Sequence, residues 1–194
     1  MQKLIVGLGN PGEQFKFTPH NIGFMLIDYL LEEFKNNILS ASEELLSLVY
    51  HLKIQNQSVI LAKPQNYMNL SGFAIHQIMM NYQINIKDIF ILIDDVYLEA
   101  GFFKLKITGG HGGHNGFKNI IDTLQTNQLK RLKIGVGRNI HIPLDKYVLR
   151  SFDKKLKEKI LYNFPLFKQL LVNFVQDFSF ENLINICHVK NTSV

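Results

Sequence analysis

Apolar residues along the chain fall into two rhythms. Residues 3–8 (KLIVGL) and 89–94 (IFILID) are short and almost wholly apolar, the pattern of strands buried on both faces. Between 21 and 34, Ile22, Met25, Leu26, Tyr29, Leu30 and Phe34 recur at helical spacing. Residues 48–54 and 58–62 predict two strands paired around Asn56-Gln57. Ser71 reads as the cap of a helix with Ile75, Ile78, Met79 and Tyr82 on one face. Further strands are expected over 103–107 and 132–136, separated by a glycine-rich loop and a helix from about 117 to 124. After Gly137 the rhythm breaks into a loop, RNIHIPLDKYVLRSF. Asp153 then reads as the N-cap of a helix carrying Leu156, Ile160 and Phe164. Pro165 has no N–H to donate, so it marks the restart of a second helix. Strands alternating with helices, with no repeat or linker between them, predict one α/β domain over residues 1–194.

Composition narrows the class. The 194 residues suffice for a sizeable core, and at 46% hydrophobic and 19% charged the chain reads as globular. No apolar run approaches the roughly 18 residues of a membrane span. The start, MQKLIVGLGNPG, lacks the long apolar region of a signal peptide. A single cysteine, Cys187, excludes an internal disulfide framework and a multi-cysteine zinc site. A cytoplasmic protein away from membranes is the expectation. The net charge of +5 is concentrated: residues 101–155 hold 11 Lys/Arg against 3 Asp/Glu, and the remainder 10 against 13. One segment therefore carries the whole excess, as a polyanion-binding face requires and as a solvated basic surface also permits.

Candidate chemistry begins with Gly7, Gly9 and Gly12, a literal G-x-G-x-x-G after a strand. A dinucleotide fingerprint needs its third glycine in the first turn of a helix. Here Asn10-Pro11-Gly12 reads as a turn, and EQFKFTPHN has no helical stripe, so that reading fails. Asn10 instead sits just past a strand end, where open α/β sheets place ligands. His20 stands ten residues later, before a helix, and is either structural or a base awaiting a partner. Asp94 and Asp95 end an apolar strand and are equally eligible on spacing; a carboxylate on one imidazole nitrogen leaves the other free as a base. The loop TGGHGGHNG (108–116) offers close backbone approach to an anion or carbonyl, or a purely structural turn. Its His111 and His114 lack the helix and third ligand that a metal site needs. In KPQNYMNLSG (63–72), Asn69 is a turn residue or a substrate contact, and Tyr67 and Met68 are core or cleft wall. No G-x-S-x-G elbow occurs and Cys187 has no activating neighbours in sequence, which favours a base acting on water.

Taken together, VGLGNPG…TPHN, KPQNYMNLSG, DDVYLEAG and GGHGGHNG resemble, in order and spacing, the bacterial-type peptidyl-tRNA hydrolases. The resemblance runs from about Lys3 to the C-terminal helices. It implies an enzyme that cleaves the ester between a peptide and the 3′ end of tRNA, recycling tRNA from stalled or abortive translation. It also implies a monomeric α/β fold, a mixed twisted central sheet flanked by helices with further helices at the C-terminus, and no metal or cofactor. Carried over, His20 is the general base, Asp94 orients it, and Asn10 lies beside the scissile bond. Asn69 and Asn115 hold substrate and water, Tyr67, Met68 and His114 contact substrate, and Phe15 meets the tRNA end. Lys104 and Lys133 would hold tRNA phosphate, and the loop near 138–152 would be a lid over the peptide. Four positions depart from the family pattern: Phe15 and Lys133 stand where Tyr and Arg are common, Tyr67 where Phe is, and Pro19 where an Arg precedes the histidine. Pro19 removes a charge and a backbone donor, so altered tRNA affinity or pH response, rather than lost chemistry, is the expectation. The competing readings are a non-catalytic RNA-binding scaffold on the same fold and a nucleotide- or metal-dependent hydrolase.

Overall fold

A computed structural model describes residues 2–191. Seven strands form one twisted sheet in the order β2-β3-β4-β1-β5-β7-β6. β1 (Gln2–Gly7) lies parallel to both β4 (Gln57–Pro64) and β5 (Ile89–Asp95). β5 in turn lies parallel to β7 (Arg131–Gly135). The outer strands β2 (Ile38–Glu44), β3 (Ser47–Ile54) and β6 (Phe103–Lys106) run antiparallel to their neighbours, so the sheet is mixed as expected. Every residue of β5 is buried, which explains why its sequence shows no polar alternation.

The two faces of the sheet carry separate cores. Ile5, Phe90 and Leu92 pack with α1 (Ile22–Glu33), α5 (Lys154–Leu161), α6 (Phe164–Val175) and α7 (Phe180–Asn191). Leu4, Val6, Ile91 and Ile93 pack with α2 (Ser71–Asn81) and α3 (Asn115–Leu124) on the other face. Strand alternation thus sends successive apolar residues to opposite layers. The short α4 (Leu144–Tyr147) interrupts the predicted loop of 138–152.

Local signals held at some places and shifted at others. Asp153 caps α5, its Oδ1 accepting Leu156 N–H at 2.8 Å, and Pro165 sits in the first turn of α6. Ser71 does not cap α2: it is the first helical residue, and its Oγ donates to Met68 O at 2.8 Å. The β3–β4 turn is Gln55-Asn56, one residue earlier than expected, both at positive φ (50° and 63°) as a tight two-residue hairpin turn requires. Strand β2 went unread because it is an edge strand, mostly exposed and polar on both faces. Among the described residues no helix is long and apolar enough to cross a membrane.

Glycine spacing at the start of the chain serves packing. A Cβ on Gly7 would lie 2.3 Å from Gly23 O, and one on Gly23 would lie 2.4 Å from Leu8 N. The N-terminus of α1 therefore presses directly onto the end of β1. That contact brings the His20 turn over the C-terminal ends of the parallel strands.

Candidate active site

Asn10 follows β1, Asp94 and Asp95 end β5, and Met68 follows β4, so three strands deliver side chains to one end of the sheet. His20 belongs to a single 3₁₀ turn (Pro19–Asn21) that leads into α1. Pro19 is buried at the first position of that turn, where a backbone N–H has no partner within the turn. The backbone donor that Pro19 lacks therefore costs nothing locally.

His20 Nδ1 lies 2.9 Å from Asp94 Oδ1, in a pair whose side chains are 13% and 2% exposed. His114 Nε2 lies 2.9 Å from the same oxygen. The carboxylate is thus met from both layers, by the turn before α1 and by the residue capping α3. Burial alone pushes the Asp94 carboxyl up, but the charges and hydrogen bonds of His20 and His114 outweigh it and hold the group well below the usual carboxylate range. Strand alternation turns Asp95 elsewhere: its Oδ2 pairs with Lys133 Nζ at 2.5 Å and its Oδ1 accepts Tyr97 N–H. Spacing could not separate the two acids, and the pleat does.

The hydrogen-bond pattern assigns the tautomers. His114 Nδ1 accepts Phe117 N–H at 3.1 Å, so that nitrogen carries no proton and Nε2–H donates to Asp94. His20 Nδ1–H donates to Asp94 as well, which leaves Nε2 as its free basic nitrogen. His20, Asp94 and His114 are also the group of described residues whose ligand atoms converge, within 4.8 Å. A metal among them would need a lone pair on His114 Nε2, and hence a proton on Nδ1 facing the Phe117 N–H. The donor set does not fit a metal in this arrangement.

Asn10 is buried and oriented by its neighbours. Asn21 grips its backbone from both sides, Oδ1 accepting Asn10 N–H and Nδ2 donating to Asn10 O, each at 2.9 Å. Asn10 Oδ1 accepts Met68 N–H at 2.9 Å, so the group it offers to the cleft is its NH₂. Asn21 is a residue that reading the sequence missed; its place beside His20 in PHN was the only signal.

A cleft of about 700 Å³ collects Asn10, His20, Tyr67, Met68, Asn69, Asp94, His114, Asn115 and Lys133. Met68 is buried while Tyr67, Asn69 and Asn115 are exposed. Phe15 and Lys104 lie outside the cleft wall: Phe15 is half-buried in the turn Glu13–Phe15, and Lys104 is exposed on β6 directly across from Lys133. His111 does not join His114; its Nδ1 accepts Gly113 N–H within the loop. Gly112 and Gly113, at φ 57° and 81°, take conformations that side-chain-bearing residues rarely adopt. Beneath the loop the buried Arg131 donates to Thr108 O and Gly109 O and stacks 4.5 Å from the Phe117 ring centroid. Val148 O accepts His20 N–H at 3.1 Å, tying the predicted lid to the histidine turn. Cys187 is buried, its thiol pushed up to about 12, which leaves it inert.

Comparison with known proteins agrees along the whole chain. Residues 4–193 match the family model described as peptidyl-tRNA hydrolase. The peptidyl-tRNA hydrolase of Phytoplasma mali is 48% identical over 178 residues, 90% of this chain and 99% of that protein. The peptidyl-tRNA hydrolase of Aquifex aeolicus is 40% identical over 160 residues, 82% of each chain. Among solved structures, a variant of the Acinetobacter baumannii peptidyl-tRNA hydrolase superposes with a TM-score of 0.88 at 29% identity, covering 95% of this chain and 93% of that one. The chain belongs to the peptidyl-tRNA hydrolase family, a family of enzymes.

Proposed function

We propose that this protein hydrolyses the ester between a peptide, or an N-blocked aminoacyl group, and the 3′ end of tRNA, with His20 activating a water molecule. The observation that carries this reading is the buried Asp94 carboxylate on His20 Nδ1 at the floor of the cleft. Asp94 holds the imidazole in the tautomer with Nε2 free and stabilises the imidazolium formed when Nε2 takes a proton. Hydroxide then attacks the acyl carbonyl, the ribose oxygen leaves with a proton, and acid and tRNA alcohol are the products. An ester has a better leaving group than an amide, so no covalent nucleophile is required.

Supporting groups follow from the geometry. Asn10 faces the cleft with an NH₂ donor, suited to a carbonyl oxygen that gains charge as the tetrahedral intermediate forms; a well-placed donor of this kind is worth about 3 kcal/mol. Asn69 and Asn115 offer further amides from two sides. His114, expected from the sequence to contact substrate, has both ring nitrogens engaged and is better read as a positioning residue for Asp94. Lys133 is paired with Asp95, so its contribution to phosphate binding is that of a partly neutralised charge. The test compares cleavage of N-acetyl-aminoacyl-tRNA and free aminoacyl-tRNA by the protein and by His20→Ala. Selective cleavage of the blocked ester, lost in the variant, supports the reading; tRNA binding without turnover overturns it in favour of a scaffold.

A further inference from the structure

Among the described residues, two arginines of the basic segment have no ion-pair partner. Lys118 pairs with Asp122, Lys133 with Asp95, and Arg131 is buried under the glycine loop. The guanidinium groups of Arg138 and Arg150, by contrast, make no ion pair or hydrogen bond among the described residues, and both are exposed. They border the same hollow of about 200 Å³, whose wall includes Pro19, the residue before His20.

The rest of that wall presents donors. Asn139 Oδ1 accepts His141 N–H, so its NH₂ is the free end, and the Ser151 hydroxyl has no hydrogen-bond partner among the described residues. The one carboxylate among the lining residues, Asp153, turns an oxygen to Leu156 N–H at the start of α5. Arg138 and Tyr147 also border a second hollow of about 540 Å³, which shares Val96 and Tyr97 with the reaction cleft. Tyr147 OH donates to Val136 O at 2.9 Å and fixes the segment between the two arginines. The hollow that both guanidiniums border thus begins at Pro19, one residue from His20, and carries a single carboxylate against two arginines.

We propose that Arg138 and Arg150 form a phosphate subsite for the RNA part of the substrate, holding a phosphodiester close to the acylated nucleotide. Guanidinium groups are suited to this because their forked donors match phosphate oxygens. The proposal rests on the tRNA-ester reading above. It places a phosphate contact beside Pro19, the residue before His20, in a hollow that neither Lys104 nor Lys133 lines.

The experiment measures kcat and KM on N-acetyl-aminoacyl-tRNA for the protein, Arg138→Gln, Arg150→Gln and the double variant, across a salt series. N-acetyl-aminoacyl-adenosine, which has no phosphate, serves as second substrate, and Lys154→Gln reports on charge outside the hollow. For the double variant, KM for the tRNA ester is expected to rise about tenfold with kcat nearly unchanged, and the salt slope of kcat/KM to fall by about one unit or more. Cleavage of the adenosine ester stays the same. Unchanged KM and salt slope in the double variant overturn the subsite, as does an equal effect per charge from Lys154→Gln, which marks only a diffuse field. If the unsubstituted protein cleaves neither substrate, the functional reading itself has failed.

Discussion

At the N-terminal end of the parallel strands, Lys3 is buried with its ammonium on Asp88 Oδ1 at 2.6 Å and on Asp177. At the opposite end, Asp94 is buried with no cation of fixed charge, held by the N–H groups of two imidazoles. The first end matches a buried charge with opposite charges and closes the account. The second leaves a carboxylate held by neutral donors alone. Neutralised charge locks strands together; a carboxylate answered only by imidazole N–H groups orients the two rings. Ion pairing and the proposed chemistry are thus separated by the length of one strand.

Breaking each end should have different consequences. The largest effect on activity is expected from His20→Ala, which removes the base: kcat should fall roughly 10²–10⁴-fold with little change in melting temperature. The largest effect on stability is expected from Lys3→Met, which strands the buried Asp88 carboxylate; chemical denaturation should show a loss of about 3 kcal/mol, with kcat of the folded protein retained. His114→Leu removes one donor to Asp94 and the α3 cap together, so activity should drop about tenfold and stability by about 1 kcal/mol. The smallest effect belongs to Asp153→Ala, which costs α5 its cap, about 1 kcal/mol in denaturation and nothing in kcat.

The two ends also differ in pH response. Asp94 has a depressed folded value, so its contribution is fully present above the ordinary aspartate value of 3.8 and is lost as pH falls through the lower folded one. Lys3 is opposed by burial but raised on balance by Asp177 and Asp88, so its contribution is present below 10.5 and is lost as pH rises through the folded value. The stability gap between the protein and Asp94→Asn should therefore narrow only in acid, and that between the protein and Lys3→Met only in alkali. Denaturation curves at several pH values measure both.

Much of this was legible in the chain, and the omissions have physical causes. Buried strands β1 and β5 and the stripe of α1 announced themselves by apolar pattern; β2, exposed at an edge, had no such stripe. The four-residue α4 is too short to set a rhythm. Asn10, His20 and Asp94 were identifiable as candidates, but their meeting depends on the Gly7–Gly23 contact between β1 and α1, which no local pattern encodes. The role of His114 was legible only as a histidine in a glycine-rich loop, because its tautomer is set by Phe117 N–H and its partner lies twenty residues earlier. Lys133 was expected from the resemblance to hold tRNA phosphate, and its pairing with Asp95 depends on the pleat of β5, which spacing does not show.

In the proposed mechanism Asp94 acts through His20 rather than through the fold. Its most direct test is kcat for N-acetyl-aminoacyl-tRNA in Asp94→Asn, measured beside the thermal melt. A loss of roughly 10²–10⁴-fold is expected while the variant remains folded at the assay temperature. A folded Asp94→Asn that cleaves the ester at the rate of the unsubstituted protein would contradict it.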